Sequence, residues 1–234
     1  MIKVKAVNNI IKKGMMIVIK AIIFDMDGLM IDSERVTYQG YQKIMGERGY
    51  AINLSFYTTL LGKPITSIYQ TFYDAYGNDF PIDEIIKEVH LYIQNQFDRL
   101  GVPLKKGLID LLKYLHQNNY KTMIATSSNR ERVNRILGTD GANILHYFND
   151  SICGDEVENG KPNPEVFLKA CKKLAISPDE AYVLEDSEMG ILAAHNAAIK
   201  CICVPDLKQP ETIYAEKTYK IVTSLLDVIT IIEG

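Results

Sequence analysis

The sequence predicts an α/β fold: a Rossmann-like parallel sheet with helices on both faces, interrupted by an inserted all-helical cap domain. From residue 105 onward, short apolar runs typical of buried strands alternate with amphipathic helical patterns. Strands that alternate with helices of this length form a parallel sheet with right-handed crossovers. Between residues 33 and 101 the pattern is helical throughout, which indicates an insertion after the first strand.

The elements of the core follow one another in a regular order. The first strand ends at Phe24, and later strands are predicted over 121–125, 151–154, 182–184, 201–204 and 219–222. Core helices are predicted over 107–118, 130–137, 164–174 and 187–197, followed by a terminal helix. The insertion contains predicted helices over 34–48, 64–76 and 82–100.

This order divides the chain into three parts. We assign residues 16–32 and 102–234 to the Rossmann-like catalytic core and residues 33–101 to the helical cap domain. The two connections between them would act as hinges for a lid that excludes water. Residues 1–15 are interpreted as an N-terminal extension, which is either an added segment or the product of a wrong start codon.

Composition narrows the functional class. The net charge of −3 and the lack of a long basic run give no electrostatic footprint for nucleic acid. The longest apolar stretch near the N-terminus, residues 15–19, is far shorter than the about 20 residues of a membrane span. The four cysteines fall in or next to apolar runs and are predicted to be buried free thiols. We expect a cytoplasmic protein without nucleic-acid or membrane partners.

Two carboxylates, Asp25 and Asp27, directly follow the first strand, and Gly28 follows them. Side by side they would repel each other, whereas Mg²⁺ prefers such hard oxygen ligands. One carboxylate can attack phosphorus to form an aspartyl-phosphate, and the other can serve as a general acid and base. The alternative explanation is an ordinary turn or helix cap, in which Asp and Gly are common.

Hydroxyls and an ammonium group follow two later turns. Thr126 comes after the strand 121–125, and its hydroxyl can donate to a phosphate oxygen. The backbone amides of Ser127 and Ser128 can bind the same phosphate if the next helix begins near Asn129. An ordinary N-cap is the alternative there. Lys161 lies in a Gly-Lys-Pro turn and can hold a phosphate as a point charge, or it can be a solvated lysine.

Glu185 and Asp186 end the strand predicted over 182–184. Acids at a helix start are also favoured by the helix macrodipole, so this pair by itself has a structural explanation. However, ligands bind at the carboxyl ends of parallel strands, where all these segments would converge. Their carboxylates, hydroxyls and single ammonium suit a phosphate group next to a divalent cation.

In order and spacing, these four segments resemble the motifs of the haloacid dehalogenase-like hydrolase superfamily. The similar branch contains β-phosphoglucomutase-like sugar-phosphate phosphatases, and the resemblance extends from about residue 16 to the C-terminus. It implies that Asp25 is the nucleophile and Asp27 the general acid/base. It further implies that Mg²⁺ binds the carboxylates of Asp25 and Asp186 and the backbone carbonyl of Asp27, with Glu185 nearby. Thr126, with Ser127, and Lys161 would bind the transferring phosphoryl group.

The resemblance also implies a function. We expect a Mg²⁺-dependent phosphatase that hydrolyses a small phosphorylated metabolite, a sugar phosphate, through an aspartyl-phosphate intermediate. Its partner would be a small-molecule phosphate ester, and the protein would be a monomer. Dehalogenase and phosphonatase members do not use a second aspartate at the position of Asp27. A non-enzymatic regulator would have lost at least one catalytic group.

A β-phosphoglucomutase-type isomerase is the alternative function. Mutase members carry a lysine just before a glycine of the cap and an arginine three positions after it. Here Leu61 and Ile65 occupy these positions, and Lys63 follows Gly62 instead. A mutase must grip a second phosphate, for which an arginine fork is suited and a single lysine is not. Lys63 is either a substrate contact or a solvated lysine.

One departure concerns stability. The turn after the helix 187–197 usually carries a glycine in relatives, whereas here it carries Ala198. If that turn keeps its positive φ, Ala198 is modestly strained.

Overall fold

A computed structural model describes residues 18–234, so the predicted extension over residues 1–15 lies outside the described part. Six strands form one parallel sheet in the order β3-β2-β1-β4-β5-β6. In chain order the strands are β1 Ala21–Phe24, β2 Lys121–Ala125, β3 Asp150–Ile152, β4 Ala181–Glu185, β5 Lys200–Cys203 and β6 Lys220–Ile221.

The strand order reverses at β1, which lies between β2 and β4. Ile22 pairs with Thr122 on one side and with Tyr182 on the other. This is the topological switch point, where open α/β sheets bind their ligands. The crevice beyond Phe24 is therefore the expected place for a site.

The insertion and the core contribute ten α-helices among residues 18–234. Those of the insertion are α1 Ser33–Gly46, α2 Leu54–Thr58, α3 Ile65–Tyr76 and α4 Ile82–Leu100. Those of the core are α5 Leu108–Gln117, α6 Arg130–Leu137, α7 Glu165–Leu174, α8 Glu188–Asn196, α9 Thr212–Ala215 and α10 Asp227–Glu233.

Both faces of the sheet are covered, as predicted. Side chains alternate along β1 because successive residues of a strand point to opposite faces. Ile22 and Phe24 belong to a buried cluster with apolar residues of α5, α6 and α10. Ala21 and Ile23 belong to a second cluster with residues of α7 and α8. The alternating strand and helix pattern is thereby confirmed as a doubly covered parallel sheet.

The insertion holds an aromatic core. Phe72 of α3 is fully buried, and its ring centroid lies 5.4 Å from Phe80, 5.6 Å from Tyr41 and 5.5 Å from Phe56. The three predicted helices are present with slightly shifted ends. The short helix α2 was not predicted, since five residues are too few to show a helical period. Asn53 caps it by accepting a 2.8 Å hydrogen bond from the Phe56 N–H.

The two connections between core and insertion run side by side. Ile31 and Leu104 form an antiparallel bridge, and the Asp32 N–H donates to the Pro103 carbonyl at 2.8 Å. The two connecting segments that flank the insertion are therefore bonded to each other.

Three further expectations can be compared with the structure. Ala198 has a φ of +56°, which confirms the strained turn. The four cysteines are free and buried, also as predicted. The last strand was predicted over 219–222 but spans only Lys220–Ile221, because it lies at the exposed edge and pairs only with β5.

Among residues 18–234, no helix has both the length and the apolar character needed to cross a membrane.

Candidate active site

Asp25 lies at the centre of the crevice because it directly follows the central strand. Its N–H donates to the Leu184 carbonyl at 3.0 Å, which extends the pairing of β1 and β4 by one residue. Its carboxylate leaves the sheet at this point, and only 8% of the residue is exposed. The turn continues through Gly28, whose φ of +81° favours glycine.

Lys161 joins three strand ends. Its Nζ donates to Asp25 Oδ1 at 2.5 Å, to Glu185 Oε1 at 2.5 Å and to the Ala125 carbonyl at 3.0 Å. The ammonium also lies 4.9 Å from the centroid of the Phe167 ring. Only 6% of the Lys161 side chain is exposed, so the alternative of a solvated lysine is wrong.

The loop that carries Lys161 is fixed by Glu165. This carboxylate accepts hydrogen bonds from the N–H groups of Glu158 at 2.9 Å and Asn159 at 3.0 Å, and it pairs with Lys169 at 2.7 Å. Two backbone donors of the loop are thereby satisfied by the first residue of α7. The position of Lys161 thus depends on a local anchor as well as on its own contacts.

Burial and charge shift the pKa values of this centre. Burial raises the pKa of Asp25 to about 7, against the lowering effect of Lys161 and with a further rise from Glu185. Burial, followed by the neighbouring carboxylates Glu185 and Asp25, raises the pKa of Asp186 well above its ordinary value. Burial would lower the pKa of Lys161, but Asp25 and Glu185 hold it above the usual range. The centre therefore contains more carboxylates than its own cation can balance.

The donor set fits a hard divalent cation. Asp25, Glu185 and Asp186 each offer a carboxylate oxygen, and these atoms all lie within 4.8 Å of one another. A Cβ at Gly28 would lie 2.2 Å from Asp186 Oδ2, so the glycine leaves room for that carboxylate to face Asp25. Oxygen-only ligands suit Mg²⁺ better than softer metals.

Glu185 is engaged on both oxygens. Oε1 accepts from Lys161, and Oε2 accepts from the Ser187 hydroxyl at 3.0 Å. Gly190, in the first turn of α8, packs against it so closely that a Cβ there would lie 1.9 Å from the carboxyl group. Glu185 is therefore better placed to orient Lys161 than to be a main metal ligand. This agrees with the expectation that Glu185 lies near the metal without binding it directly.

Thr126 and the start of α6 form the other side of the centre. The Thr126 N–H donates to the Ile152 carbonyl at 3.1 Å, and Asn129 caps α6, as the predicted helix start requires. The Ser128 N–H donates to Thr126 Oγ1 at 3.1 Å. The Ser128 amide, expected to help bind a phosphate, is thus already engaged, whereas no acceptor within residues 18–234 bonds the Ser127 N–H.

Asp27 is held by the Ser128 hydroxyl and by Arg132, two contacts that the sequence interpretation did not include. Its Oδ2 accepts from the Ser128 hydroxyl at 2.8 Å, and its Oδ1 accepts from Arg132 Nη2 at 2.7 Å. Arg132 Nε also donates to the Ser128 hydroxyl at 3.2 Å. The four-residue spacing of Ser128 and Arg132 indicates that they are neighbours at a helix start, but nothing local indicates Asp27 as their partner.

Core and insertion together line a cavity of about 620 Å³ over this centre. The insertion contributes Glu34 from the first turn of α1 and residues 61–64, which include Lys63. Lys63 Nζ donates to Thr71 Oγ1 at 3.3 Å. The structure thus brings all the predicted site residues to one cavity or its immediate surroundings, and it adds Glu34, Arg132 and the hydroxyl of Ser128.

The fold and this geometry define a class of protein. It is an α/β enzyme whose switch-point crevice presents a buried carboxylate, a buried lysine and a threonine to one small volume. That combination suits the transfer of a phosphoryl group next to a hard cation.

Comparisons with known proteins agree with this class. The family model described as haloacid dehalogenase-like hydrolase matches residues 22–204. A phosphorylated carbohydrates phosphatase from Thermotoga maritima is 29% identical over 184 residues, covering 78% of this chain and 83% of the relative. A validoxylamine A 7′-phosphate phosphatase from Streptomyces hygroscopicus subsp. limoneus is 30% identical over 183 residues, covering 78% and 84%.

A solved structure agrees as well. A Thermotoga maritima protein provisionally named β-phosphoglucomutase is 26% identical and superposes with a TM-score of 0.72, covering 91% of this chain and 99% of that chain. The chain belongs to the haloacid dehalogenase-like hydrolase family. It is a phosphatase of that family, which hydrolyses phosphate monoesters.

Proposed function

We propose that this phosphatase is Mg²⁺-dependent and hydrolyses a small phosphorylated carbohydrate through an aspartyl-phosphate on Asp25. The observation that carries the proposal is the position of Asp25, buried at the end of the central strand with Lys161 2.5 Å away. Relatives named for phosphorylated carbohydrates and for fructose 1-phosphate support the substrate class.

Asp25 attacks phosphorus, and the bond from phosphorus to the ester oxygen breaks. Asp27 gives a proton to the leaving alcohol. In the second step Asp27 takes a proton from water, whose oxygen attacks phosphorus, so that inorganic phosphate leaves and Asp25 is regenerated. Both oxygens of Asp27 are bonded to Ser128 and Arg132, so its side chain must leave these partners to reach the ester oxygen.

The remaining residues bind the phosphoryl group and the metal. Lys161, Thr126 and the Ser127 amide bind phosphoryl oxygens that carry developing charge. The carboxylates of Asp25 and Asp186, with the backbone carbonyl of Asp27, would hold Mg²⁺. When bound, that ion offsets the repulsion between an anionic nucleophile and an anionic ester.

The insertion has its own part in the proposal. Residues 33–101 act as a cap on a core of residues 16–32 and 102–234, and closure excludes water from the crevice. Lys63 of the cap contacts the substrate. The protein acts as a monomer in the cytoplasm, without nucleic-acid or membrane partners.

Replacement of the nucleophile tests the proposal. Asp25→Asn should abolish phosphate release from a sugar phosphate, because the amide cannot form the acyl phosphate. Asp98→Asn, an exposed aspartate of α4, is the matched control and should retain full activity. Wild-type turnover by Asp25→Asn, in a sample shown by mass spectrometry not to have deamidated, would refute the assignment.

Metal removal tests the cofactor. Phosphate release should stop after dialysis against a chelator and return with Mg²⁺. Ca²⁺ should restore it poorly, since its larger and looser coordination shell does not hold the same geometry. Full turnover by the metal-free protein contradicts this part of the proposal.

The isomerase alternative predicts a different product. It needs a cationic clamp on the cap for a second phosphate, but Leu61 forms the cavity wall there and Ile65 is exposed at the start of α3. β-Glucose 1-phosphate, if it is turned over, should therefore yield glucose and inorganic phosphate. Glucose 6-phosphate as the main product, with a lag that added glucose 1,6-bisphosphate removes, would establish the isomerase instead.

A further inference from the structure

Glu34 is a carboxylate of the cavity wall that the proposed reaction steps do not use. It lies in the first turn of α1, on the side of the cavity formed by the insertion. Its Oε2 accepts a 2.5 Å hydrogen bond from the Tyr57 hydroxyl. No donor within residues 18–234 bonds Oε1, and that atom is not enclosed by protein. Glu34 therefore offers the cavity a free acceptor.

Tyr57 holds this acceptor in place. Only 2% of the tyrosine is exposed, and its ring centroid lies 5.3 Å from Tyr38 and 5.9 Å from Tyr41. Burial, and then the nearby Glu34, raise the pKa of Tyr57, so its hydroxyl keeps its proton at neutral pH. A donor fixed by packing orients the carboxylate without the need for an induced rearrangement.

The charge around the cavity determines what Glu34 can accept. Besides Glu34, carboxylates of the wall include Asp27, Asp186, Glu188 and Asp206. The lysines of the wall are few: Lys161 is bonded to Asp25 and Glu185, and Lys208 is paired with Glu188 at 3.0 Å. Lys63 is the one wall lysine among residues 18–234 without a carboxylate partner.

One phosphate of a substrate is matched by Lys161 and the proposed metal. Of the other wall carboxylates, Asp27 is paired with Arg132, Glu188 with Lys208 and Asp206 with Lys105, and Asp186 is assigned to the proposed metal. Within residues 18–234, Glu34 has no such cationic partner. A second anionic group beside Glu34 would therefore face an unbalanced carboxylate, whereas a hydroxyl group would find an acceptor. We propose that Glu34 selects the alcohol part of the substrate: it accepts a hydrogen bond from a hydroxyl of a neutral polyol and disfavours esters with a second anion. This inference rests on the proposed phosphatase function and narrows its substrate class.

Two matched esters test whether the enzyme prefers a neutral polyol to an ester with a second anion. Glycerol 3-phosphate and 3-phosphoglycerate differ only in a CH₂OH group against a carboxylate at the far end. The wild-type enzyme should show a higher kcat/KM for glycerol 3-phosphate. Glu34→Gln should reduce this preference about tenfold, since hydrogen bonds to charged acceptors are stronger than those to neutral ones. The reduction should appear mainly as a raised KM for the glycerol ester.

Three controls identify the cause. p-Nitrophenyl phosphate has no hydroxyl to bind, so Glu34→Gln should change its turnover by a much smaller factor than that of glycerol 3-phosphate. Tyr57→Phe should reduce the preference in the same direction but less, because Glu34 is kept and only its orientation is loosened. Glu47→Gln, which removes an exposed carboxylate directly after the same helix, should leave the preference unchanged.

The outcomes distinguish this inference from the function on which it rests. It is overturned if Glu34→Gln keeps the wild-type preference, if the wild type prefers 3-phosphoglycerate, or if turnover of p-nitrophenyl phosphate falls by the same factor as that of the glycerol ester. A preference that depends instead on Lys63, seen as its change in Lys63→Met but not in Glu34→Gln, also overturns it. If turnover survives Asp25→Asn, the proposed mechanism is refuted. The inference about Glu34 is decided separately, by the preference between the two esters in Glu34→Gln.

Discussion

The two ends of the cavity are built on different physical principles. At the core end, charged side chains are buried and bonded to one another: Lys161 alone joins Asp25, Glu185 and the end of β2. At the end formed by the insertion, the wall is supported by packed aromatic rings around Phe72. Positions at the core end are fixed by directional bonds, whereas those of the insertion are fixed by shape, which tolerates repacking.

This difference has an energetic side. Burial of carboxylates is unfavourable, as the raised pKa values of Asp25 and Asp186 record, and Lys161 offsets it only in part. Burial of aromatic rings stabilises the insertion outright. We therefore expect substitutions at the core end to affect catalysis first and substitutions in the insertion to affect stability first.

The largest effect is expected for Asp27→Asn at the core end. Loss of the general acid should slow hydrolysis of an alkyl phosphate about 10²–10⁴-fold. p-Nitrophenyl phosphate should lose less, because its leaving group needs no proton. The ratio of the two rates, measured in one sample, checks the role independently of folding. Equal losses for both esters would argue against Asp27 as the acid.

Phe72→Ala, in the insertion, should lower the stability of the protein while leaving catalysis nearly unchanged. The ring is fully buried among other aromatic rings, and such truncations cost about 3–5 kcal/mol of stability. Urea unfolding measures the loss, and Thr66→Ala, an exposed change in the same helix, is the control. Well below the unfolding transition, turnover of p-nitrophenyl phosphate should remain near the wild-type value. An unchanged free energy of unfolding contradicts the assigned packing.

A pair of glycine substitutions compares the two regions directly. Gly190→Ala places a Cβ 1.9 Å from the Glu185 carboxyl group, so Glu185 and with it Lys161 must shift. We expect a loss of about 1–3 kcal/mol in stability together with reduced turnover. Gly46→Ala, at the end of α1, meets no atom within 4 Å and should be neutral or slightly stabilising.

Thermal unfolding and kcat measured on both variants check this comparison. If Gly190→Ala retained wild-type turnover, Glu185 would not set the position of Lys161. If Gly46→Ala proved as damaging as Gly190→Ala, the assigned difference between the regions would be wrong.

The smallest effect on stability is expected for Glu165, which fixes the loop that carries Lys161. The Lys169 ammonium, followed by backbone N–H groups, lowers the pKa of Glu165 from its ordinary 4.5 to about 2. A carboxylate with a lowered native pKa contributes stability that is present above pH 4.5 and lost as the pH falls toward about 2. Glu165→Gln should flatten this part of the stability curve, as thermal unfolding at a series of pH values will show.

Glu131→Gln, an exposed change in the first turn of α6, serves as the control for that experiment. If Glu165→Gln and the wild type lost stability in parallel over this range of pH, Glu165 would not anchor the loop.

Much of the fold was predictable because its signals are local. Apolar runs mark β2 and β4, and two polar residues mark the carboxyl ends of these strands: Thr126, which follows β2, and Glu185, the last residue of β4. Helix α2 gave no such signal, since it is shorter than the period that would reveal it. The edge strand β6 was predicted too long because its exposed residues lack the neighbours that define an inner strand.

The candidate site was predictable where its residues follow a local signal in the sequence, and not where they depend on distant contacts. Asp25, Thr126 and Lys161 could be grouped because each follows a recognisable strand or lies in a Pro-flanked turn. Arg132 could not be included, because on its helix it is one charged residue among several. Its partner Asp27 lies 105 residues earlier in the chain.

The sequence by itself determined which residues stand at the strand ends, and hence the parallel sheet, the position of its crevice and the carboxylate-rich chemistry there. These follow from the alternation of apolar and polar residues, which acts over a few neighbours. Only the tertiary structure decided which partners these residues have: Asp27 with Ser128 across 101 residues, and Tyr57 with Glu34 across 23. Such contacts depend on how separate elements pack against one another. The periodicity of the sequence acts over a few neighbouring residues and does not encode contacts between residues so far apart in the chain.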